Sequence, residues 1–222
     1  MISLVNVSKK FDDLEILKNF SIAFEENKIS CLFGPSGVGK TTIANIAANL
    51  MPCDAGKVTG IEEAVYSYVF QEPRLLNWYS VYDNIDFVLK DVYPEEKRVN
   101  IINNYIEMVD LKGYENYRPR SLSGGMCQRV SLARAFAYPS NFMILDEPFK
   151  GLDMKLKNEM ISLFKKLWNE SKRTVIFITH DVDEALTLSD FIYIIKNRPV
   201  EIKEKISMEN SDKEAVSLLL NC

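Results

Sequence analysis

Gly34-Pro35-Ser36-Gly37-Val38-Gly39-Lys40-Thr41 is the stretch whose reading decides the fold. It follows the apolar run Ile29-Ser30-Cys31-Leu32-Phe33, which reads as a short buried strand. It precedes residues 42–50, where Ile43, Ile46, Ala47 and Leu50 fall on one face of a helix. Strand, glycine-rich loop and helix are the context a phosphate-binding loop requires. Three glycines let the backbone wrap closely around a polyphosphate and turn successive N–H groups inward. The helix N-terminus adds its partial positive charge to that concavity. The candidate phosphate-binding residues are Gly34, Pro35, Ser36, Gly37, Val38, Gly39, Lys40, Thr41 and Thr42. Lys40 is expected to reach the β- and γ-phosphates, and the Thr41 hydroxyl to be a Mg²⁺ ligand. A Gly/Ser-rich turn arising by chance would need neither the lysine, the threonine nor both flanking elements. The stretch reads as a nucleoside-triphosphate site.

The 222 residues, 47% of them hydrophobic, can bury a sizeable core as one domain or a domain with a subdomain. A formal net charge of −4 provides no global positive field for nucleic acid or anionic lipid, although a local basic patch stays open. Cys31, Cys53, Cys127 and Cys222 lie far apart without metal-ligand spacing, so reduced thiols in a cytosolic protein are expected rather than a disulfide framework. The N-terminal residues lack the charged and apolar blocks of a secretion signal. Apolar runs such as Val175-Ile176-Phe177-Ile178 are far shorter than the roughly 20 residues of a membrane helix. The expectation is a soluble protein that serves a membrane only through a partner that spans it.

Along the chain, residues 2–7 and 16–24 alternate like half-exposed strands. Between them Phe11 sits in a polar turn, where an aromatic either anchors the loop or stacks on a base. Residues 52–60 read as a turn-rich connection, and 64–70 as a strand ending at Gln71-Glu72-Pro73. From about Arg74 to Arg129 strand patterns give way to helical ones. Pro94 opens a helix whose apolar face is Ile102, Tyr105, Ile106 and Val109. This segment reads as a helical insertion in an α/β domain, and it ends at Ser121-Leu122-Ser123-Gly124-Gly125-Met126-Cys127-Gln128, an N-capped helix start. Phe142-Met143-Ile144-Leu145 suggests a strand buried on both faces, with Asp146 and Glu147 at its C-terminal end, the edge where open α/β sheets place ligands. The next helix has Met160, Leu163, Phe164 and Leu167 on one face. Residues 174–179 form another buried strand, followed by His180, the single histidine of the sequence. A lone histidine is usually structural, but this one stands at the predicted ligand edge. A strand over 191–195 and a terminal helix over 211–220 complete the reading.

Taken in order, a phosphate loop, a downstream Gln, the LSGGMCQ segment at Leu122–Gln128, an apolar-Asp-Glu strand end and a strand-end His resemble the nucleotide-binding subunit of ATP-binding-cassette (ABC) transporters. The resemblance runs from about Ile2 to Lys196. It implies an α/β phosphate-loop NTPase with a mostly parallel core sheet, an N-terminal antiparallel β subdomain and an inserted helical subdomain. The single domain 1–222 would then divide into a core of 1–73 and 130–222 and a helical part of 74–129. The resemblance also implies roles. Phe11 would stack on adenine, Gln71 would contact Mg²⁺ and the attacking water, and Asp146 would associate with Mg²⁺. Glu147 would be the general base, and His180 the switch on the γ-phosphate. Ser123, Gly124, Gly125 and Gln128 would form the signature that meets ATP bound to the opposite subunit, and Asp153 would lie in the loop crossing between subunits. ATP and Mg²⁺ are the implied cofactors, and an ATP-dependent homodimer the implied assembly. The implied setting is peripheral, on the cytoplasmic face of the plasma membrane, with a transmembrane permease and an extracytoplasmic substrate-binding protein as partners and no nucleic acid.

A narrower resemblance lies in Phe70–Trp78 and Val81–Ile85, which look like the same segment in ATPases of nitrate, sulfonate, taurine and pyrimidine-precursor importers, with Asn77 where those usually carry Pro. Asn27-Lys28 stands where Gly-Glu is usual, and Cys127 where this group often has Arg or Lys. The regulatory domain that sugar- or methionine-importer ATPases carry after the last core strand is not expected here. An ABC ATPase of a non-transport system, nucleic-acid-associated or regulatory, and the ATPase of an exporter are the alternatives. Leu75, Leu76, Trp78, Tyr79, Val81 and Tyr82 form a dense apolar patch, expected either to pack the subdomain core or to receive a helix of the membrane partner.

Overall fold

The computed structural model describes residues 1–220, so Cys222 lies outside the described residues, among which Cys31, Cys53 and Cys127 are free thiols. The chain forms two compact units. One comprises Met1–Tyr66, Asn141–Glu147 and the described residues from Lys172 onward; the other comprises Ser67–Ser140 and Pro148–Ser171. The helical unit thus takes in residues 67–73, 130–140 and 148–171 besides the 74–129 expected from sequence.

In the first unit, β1 (Ile2–Phe11) and β2 (Leu14–Phe24) form an antiparallel hairpin, and β4 (Ala55–Thr59) pairs with the other side of β1. The strand β4 was not expected. Its residues are mostly exposed, and Gly56 at φ 85 gives the segment the look of a turn. The glycine is needed, because a Cβ there would lie 2.3 Å from the Asn6 carbonyl oxygen.

Within the same unit a mixed sheet runs β6 (Phe142–Asp146), β7 (Thr174–Thr179), β3 (Ile29–Phe33), β8 (Phe191–Lys196), β9 (Glu201–Ser207). Neighbours from β6 to β8 are parallel, and β9 closes the edge antiparallel. All of β3 and β7 is buried, which explains their unbroken apolar runs. The strand β9 was also missed, because Glu-Ile-Lys-Glu-Lys-Ile-Ser is a charged edge strand with little apolar signal. Asn27 replaces the usual glycine before β3 without loss of geometry: it adopts φ 56, a conformation asparagine tolerates. Its backbone N–H donates to Thr174 Oγ1 at 3.1 Å.

The helix α1 (Lys40–Ala47) buries Ile43, Ile46 and Ala47, but Leu50 is 63% exposed rather than on the expected face. Asn49 turns left-handed at φ 55, and the Leu50 and Met51 N–H groups fold back to the Asn45 carbonyl, so the helix has ended. Further along, α6 (Val182–Leu188) is packed by α7 (Lys213–Leu220), which buries Val216 and Leu220.

The short strand β5 (Tyr66–Val69) leads into the second unit, where α2 (Val81–Asp86), α3 (Glu95–Met108), α4 (Gly124–Ala137) and α5 (Met154–Glu170) supply the helices. A Ser80/Asp83 capping box starts α2, with the Asp83 N–H donating to Ser80 Oγ at 3.1 Å. Ile102, Ile106 and Val109 of the expected α3 face are buried, as are Met160, Leu163, Phe164 and Leu167 of α5. Phe136 of α4 meets Phe164 edge-on at 5.7 Å. No helix among the described residues is long and apolar enough to cross a membrane.

Candidate functional site

Sheet register sets one half of the site. Phe33 pairs with Thr179, and Asp146 with Ile178, so β3, β7 and β6 end at nearly the same level. The glycine-rich loop, His180 and the Asp146-Glu147 pair therefore leave the sheet at one carboxyl edge.

The loop is held tightly from below. Gly39, at φ 125, is the N-cap of α1, and a Cβ on it would sit 2.8 Å from both Ile16 Cγ2 and Val200 Cγ2. Arg198 donates through Nη2 to the Gly37 carbonyl, a contact from far along the chain that no local motif announces. The Lys40 side chain is buried, and its Nζ donates to the Gly34 carbonyl at 2.7 Å and the Pro35 carbonyl at 2.8 Å. The ammonium thus lies inside the curl of its own loop. Thr41 Oγ1 donates to Asp146 Oδ2 at 3.1 Å. A hydroxyl beside a carboxylate is a hard-oxygen pair that suits Mg²⁺, which binds through one or two protein oxygens together with phosphate oxygens and water.

Glu147 follows with an unusual backbone. Its φ is 46, left-handed for a side chain with a Cβ, while its N–H donates to the Ile178 carbonyl at 3.0 Å. Such a conformation is worth about 1–3 kcal/mol of strain and persists only where neighbours impose it; here Pro148 also disfavours the helical alternative for the residue before it. Glu147 Oε1 lies 3.4 Å from His180 Nδ1. A cavity of about 150 Å³ is lined by Gly37, Gly39, Lys40, Thr41, Thr42, Glu147 and Ile178. Of these, Ile178 was not expected. Phe11, the last residue of β1, is 42% exposed, with Lys9 Nζ 5.6 Å from its ring centre.

The second unit gathers a different set. Ser123 caps α4, its Oγ accepting from the Met126 N–H at 3.3 Å, and Asp153 caps α5, its Oδ1 accepting from the Leu156 N–H at 3.0 Å. Ser123, Gly124, Gly125, Gly151, Leu152 and Asp153 line one open groove of about 490 Å³. Gly125 packs closely on α5 beside this groove, where a Cβ would come 2.8 Å from Leu156 Cδ1. Gln128 is not among the residues lining that groove: it is buried, and its Nε2 donates to the Pro148 carbonyl at 2.5 Å. Gln71 is exposed. The expected residues thus fall into two sets. Lys40, Thr41, Asp146, Glu147 and His180 assemble in the first unit, and Ser123, Gly124, Gly125 and Asp153 in the second.

The chain matches the ABC transporter family over residues 17–150. It is 37% identical over 231 residues to an uncharacterised ABC transporter ATP-binding protein of Methanocaldococcus jannaschii, covering 96% of this chain and 85% of the relative. It is 36% identical over 217 residues to the aliphatic sulfonates import ATP-binding protein SsuB of Bacillus cereus, covering 92% and 85% respectively. Among solved structures, the dimeric post-hydrolysis state of an ATP-binding cassette bound to ADP and Pi aligns with a TM-score of 0.80 at 28% identity, over 95% of this chain and all of that one.

Proposed function

Because this chain belongs to the ABC transporter family and is one of its ATP-hydrolysing, ATP-binding subunits, we propose that it powers an importer of a small anionic or heterocyclic solute, of the nitrate, sulfonate, taurine or pyrimidine-precursor kind. The observation that carries the catalytic part is the convergence of Lys40, Thr41, Asp146, Glu147 and His180 at one sheet edge. The solute class is supported by the Phe70–Ile85 segment and by the similarity to a sulfonate-import ATPase.

In this reading Lys40 turns from the Gly34 and Pro35 carbonyls to the β- and γ-phosphates, and the loop N–H groups cradle the phosphate oxygens. Thr41 and Asp146, with Gln71, would hold Mg²⁺. When bound, that ion neutralises charge on the phosphate oxygens. Glu147 accepts the proton of the attacking water, and His180, beside it, orients that water and the γ-phosphate. Ser123, Gly124 and Gly125, with Asp153, close on nucleotide held by a second copy, so that a two-fold dimer carries two sites. Phe11 stacks on the adenine. Phe11→Ala should then weaken ATP binding by about 1–3 kcal/mol while leaving inorganic triphosphate binding unchanged, as titration calorimetry with both ligands would read. Equal losses for the two ligands would make Phe11 a loop anchor only.

The membrane partner is proposed to dock on the loop after Gln71. Trp78 is 66% and Phe87 51% exposed, and with Tyr79 they form a chain of rings at 6.2 and 6.0 Å. Val81 is buried, and Leu75, Leu76, Tyr79 and Tyr82 are half-buried, so Trp78 is the better probe of this surface. The loop is preorganised by fully buried Asn84, whose Oδ1 accepts from the Leu76 N–H at 2.8 Å and whose Nδ2 donates to the Ser80 carbonyl at 2.9 Å. Trp78→Ser should leave the melting temperature and ATP binding unchanged but abolish co-purification with the permease expressed beside it. Normal co-purification and transport would move the docking surface elsewhere.

A further inference from the structure

Arg134 lies near the C-terminal end of α4, and its guanidinium grips the loop that carries Gln71. Nη2 donates to the Pro73 carbonyl and Nη1 to the Arg74 carbonyl, both at 3.1 Å. Burial depresses the guanidinium pKa; a planar fork meeting two successive carbonyls offsets that desolvation. The gripped loop has further anchors of its own. Arg74 stands left-handed at φ 44 and lays its guanidinium 3.8 Å from the Phe70 ring centre, and that ring stacks on Tyr68 at 4.1 Å and 17°. Gln71 is bracketed between these anchors.

The same helix begins at the Ser123 cap. Arg134 follows Ser123 by three helical turns, about 16 Å along the axis at 1.5 Å per residue, on nearly the same helix face. Two further side chains brace the rod between these ends. Gln128 donates to the Pro148 carbonyl at 2.5 Å, the residue after Glu147 in the chain. Arg129 donates to the Val109 carbonyl and Asp110 Oδ2 at 3.0 Å each and to Glu159 Oε2 of α5 at 3.4 Å. A helix held at so many points cannot shift at one end alone.

We propose that Arg134 is a positioning residue that makes the Gln71 loop and the signature turn at Ser123 one rigid body, and that this link couples the two nucleotide sites of the dimer. The proposal rests on the dimer reading above. Gln71 attends to the nucleotide of its own chain and Ser123 to that of the partner. A loop displaced by one nucleotide therefore moves the signature that serves the other, which is a coupling free energy between two distinct sites. Lysine at 134 keeps the charge but offers a compact point donor instead of a fork, so it cannot hold both carbonyls in the same way.

The test compares the full chain with Arg134→Lys and Arg134→Met, measuring steady-state ATP hydrolysis against ATP concentration. Binding of a fluorescent ATP analogue to dilute protein and the melting temperature are read in parallel. Wild type is expected to give a Hill coefficient approaching about 2, the number of sites, and both variants a coefficient near about 1. Analogue affinity and melting temperature are expected to stay close to wild type in Arg134→Lys, which carries the test if Arg134→Met does not fold. Variants that retain the wild-type Hill coefficient, whether or not they melt earlier, would overturn the link and reduce Arg134 to a packing residue. A wild-type coefficient of about 1 would instead show the two sites uncoupled and overturn the proposal, while the dimer reading itself stands or falls on the mass of the chain in ATP.

Discussion

Lys40→Ala is expected to lower ATP affinity about 10- to 100-fold and to remove hydrolysis with it. The estimate follows from the net loss of one charge-assisted hydrogen bond to the β- or γ-phosphate, worth about 1.5–3 kcal/mol, where 1.4 kcal/mol is tenfold in binding. In the described state the ammonium is already buried in the loop it serves, bonded to the Gly34 and Pro35 carbonyls. The substitution therefore also leaves two carbonyls to find water. Melting temperature with and without nucleotide separates the two effects: a ligand-free protein of near-normal stability that ATP no longer stabilises is the expected result. ATP stabilisation equal to wild type would remove the basis of the phosphate-loop assignment.

The second large effect is at Glu147. Glu147→Gln keeps the side-chain size but cannot accept the proton of the attacking water, so hydrolysis should fall about 10²- to 10⁴-fold, the usual contribution of a general base. ATP affinity should be retained, because the phosphate contacts lie with Lys40 and the loop. The left-handed backbone at φ 46 makes this position sensitive to shape, and glutamine is chosen because it keeps the side-chain shape while removing the charge and one acceptor oxygen. A normal turnover rate in the variant would exclude Glu147 as the base.

What could be read from sequence follows from where each interaction is encoded. The phosphate loop, the Asp146-Glu147 strand end and His180 were legible because local pattern and chemistry coincide. Each is a short motif at the end of a buried apolar strand, and the parallel register then brings the three to one edge. The signature turn was legible as a helix cap, whereas the close approach of Gly125 to Leu156 of α5 was not. The strands β4 and β9 were not legible, since exposed edge strands rich in Gly, Lys and Glu carry no alternation of apolar residues. The end of α1 was misjudged by one turn, because Asn49 turns left-handed ahead of Leu50. Arg198 on the Gly37 carbonyl, Arg134 on the Pro73 and Arg74 carbonyls and Gln128 on the Pro148 carbonyl all join side chains to distant backbone. A backbone acceptor has no residue identity, so sequence alone does not name such partners. Asn84 is an intermediate case, close in sequence to the loop it holds but not distinguishable there from an ordinary polar helix residue.

The central claim is that one chain holds two half-sites and becomes a complete ATPase only with a second copy. Glu147→Gln makes this measurable, since nucleotide that is bound but not consumed should hold two copies together. Light scattering coupled to size exclusion should give close to twice the chain mass of 25.5 kDa for this variant in Mg²⁺ and ATP, and the single-chain mass in ADP. The same mass in both nucleotides, whether one chain or two, would contradict the account.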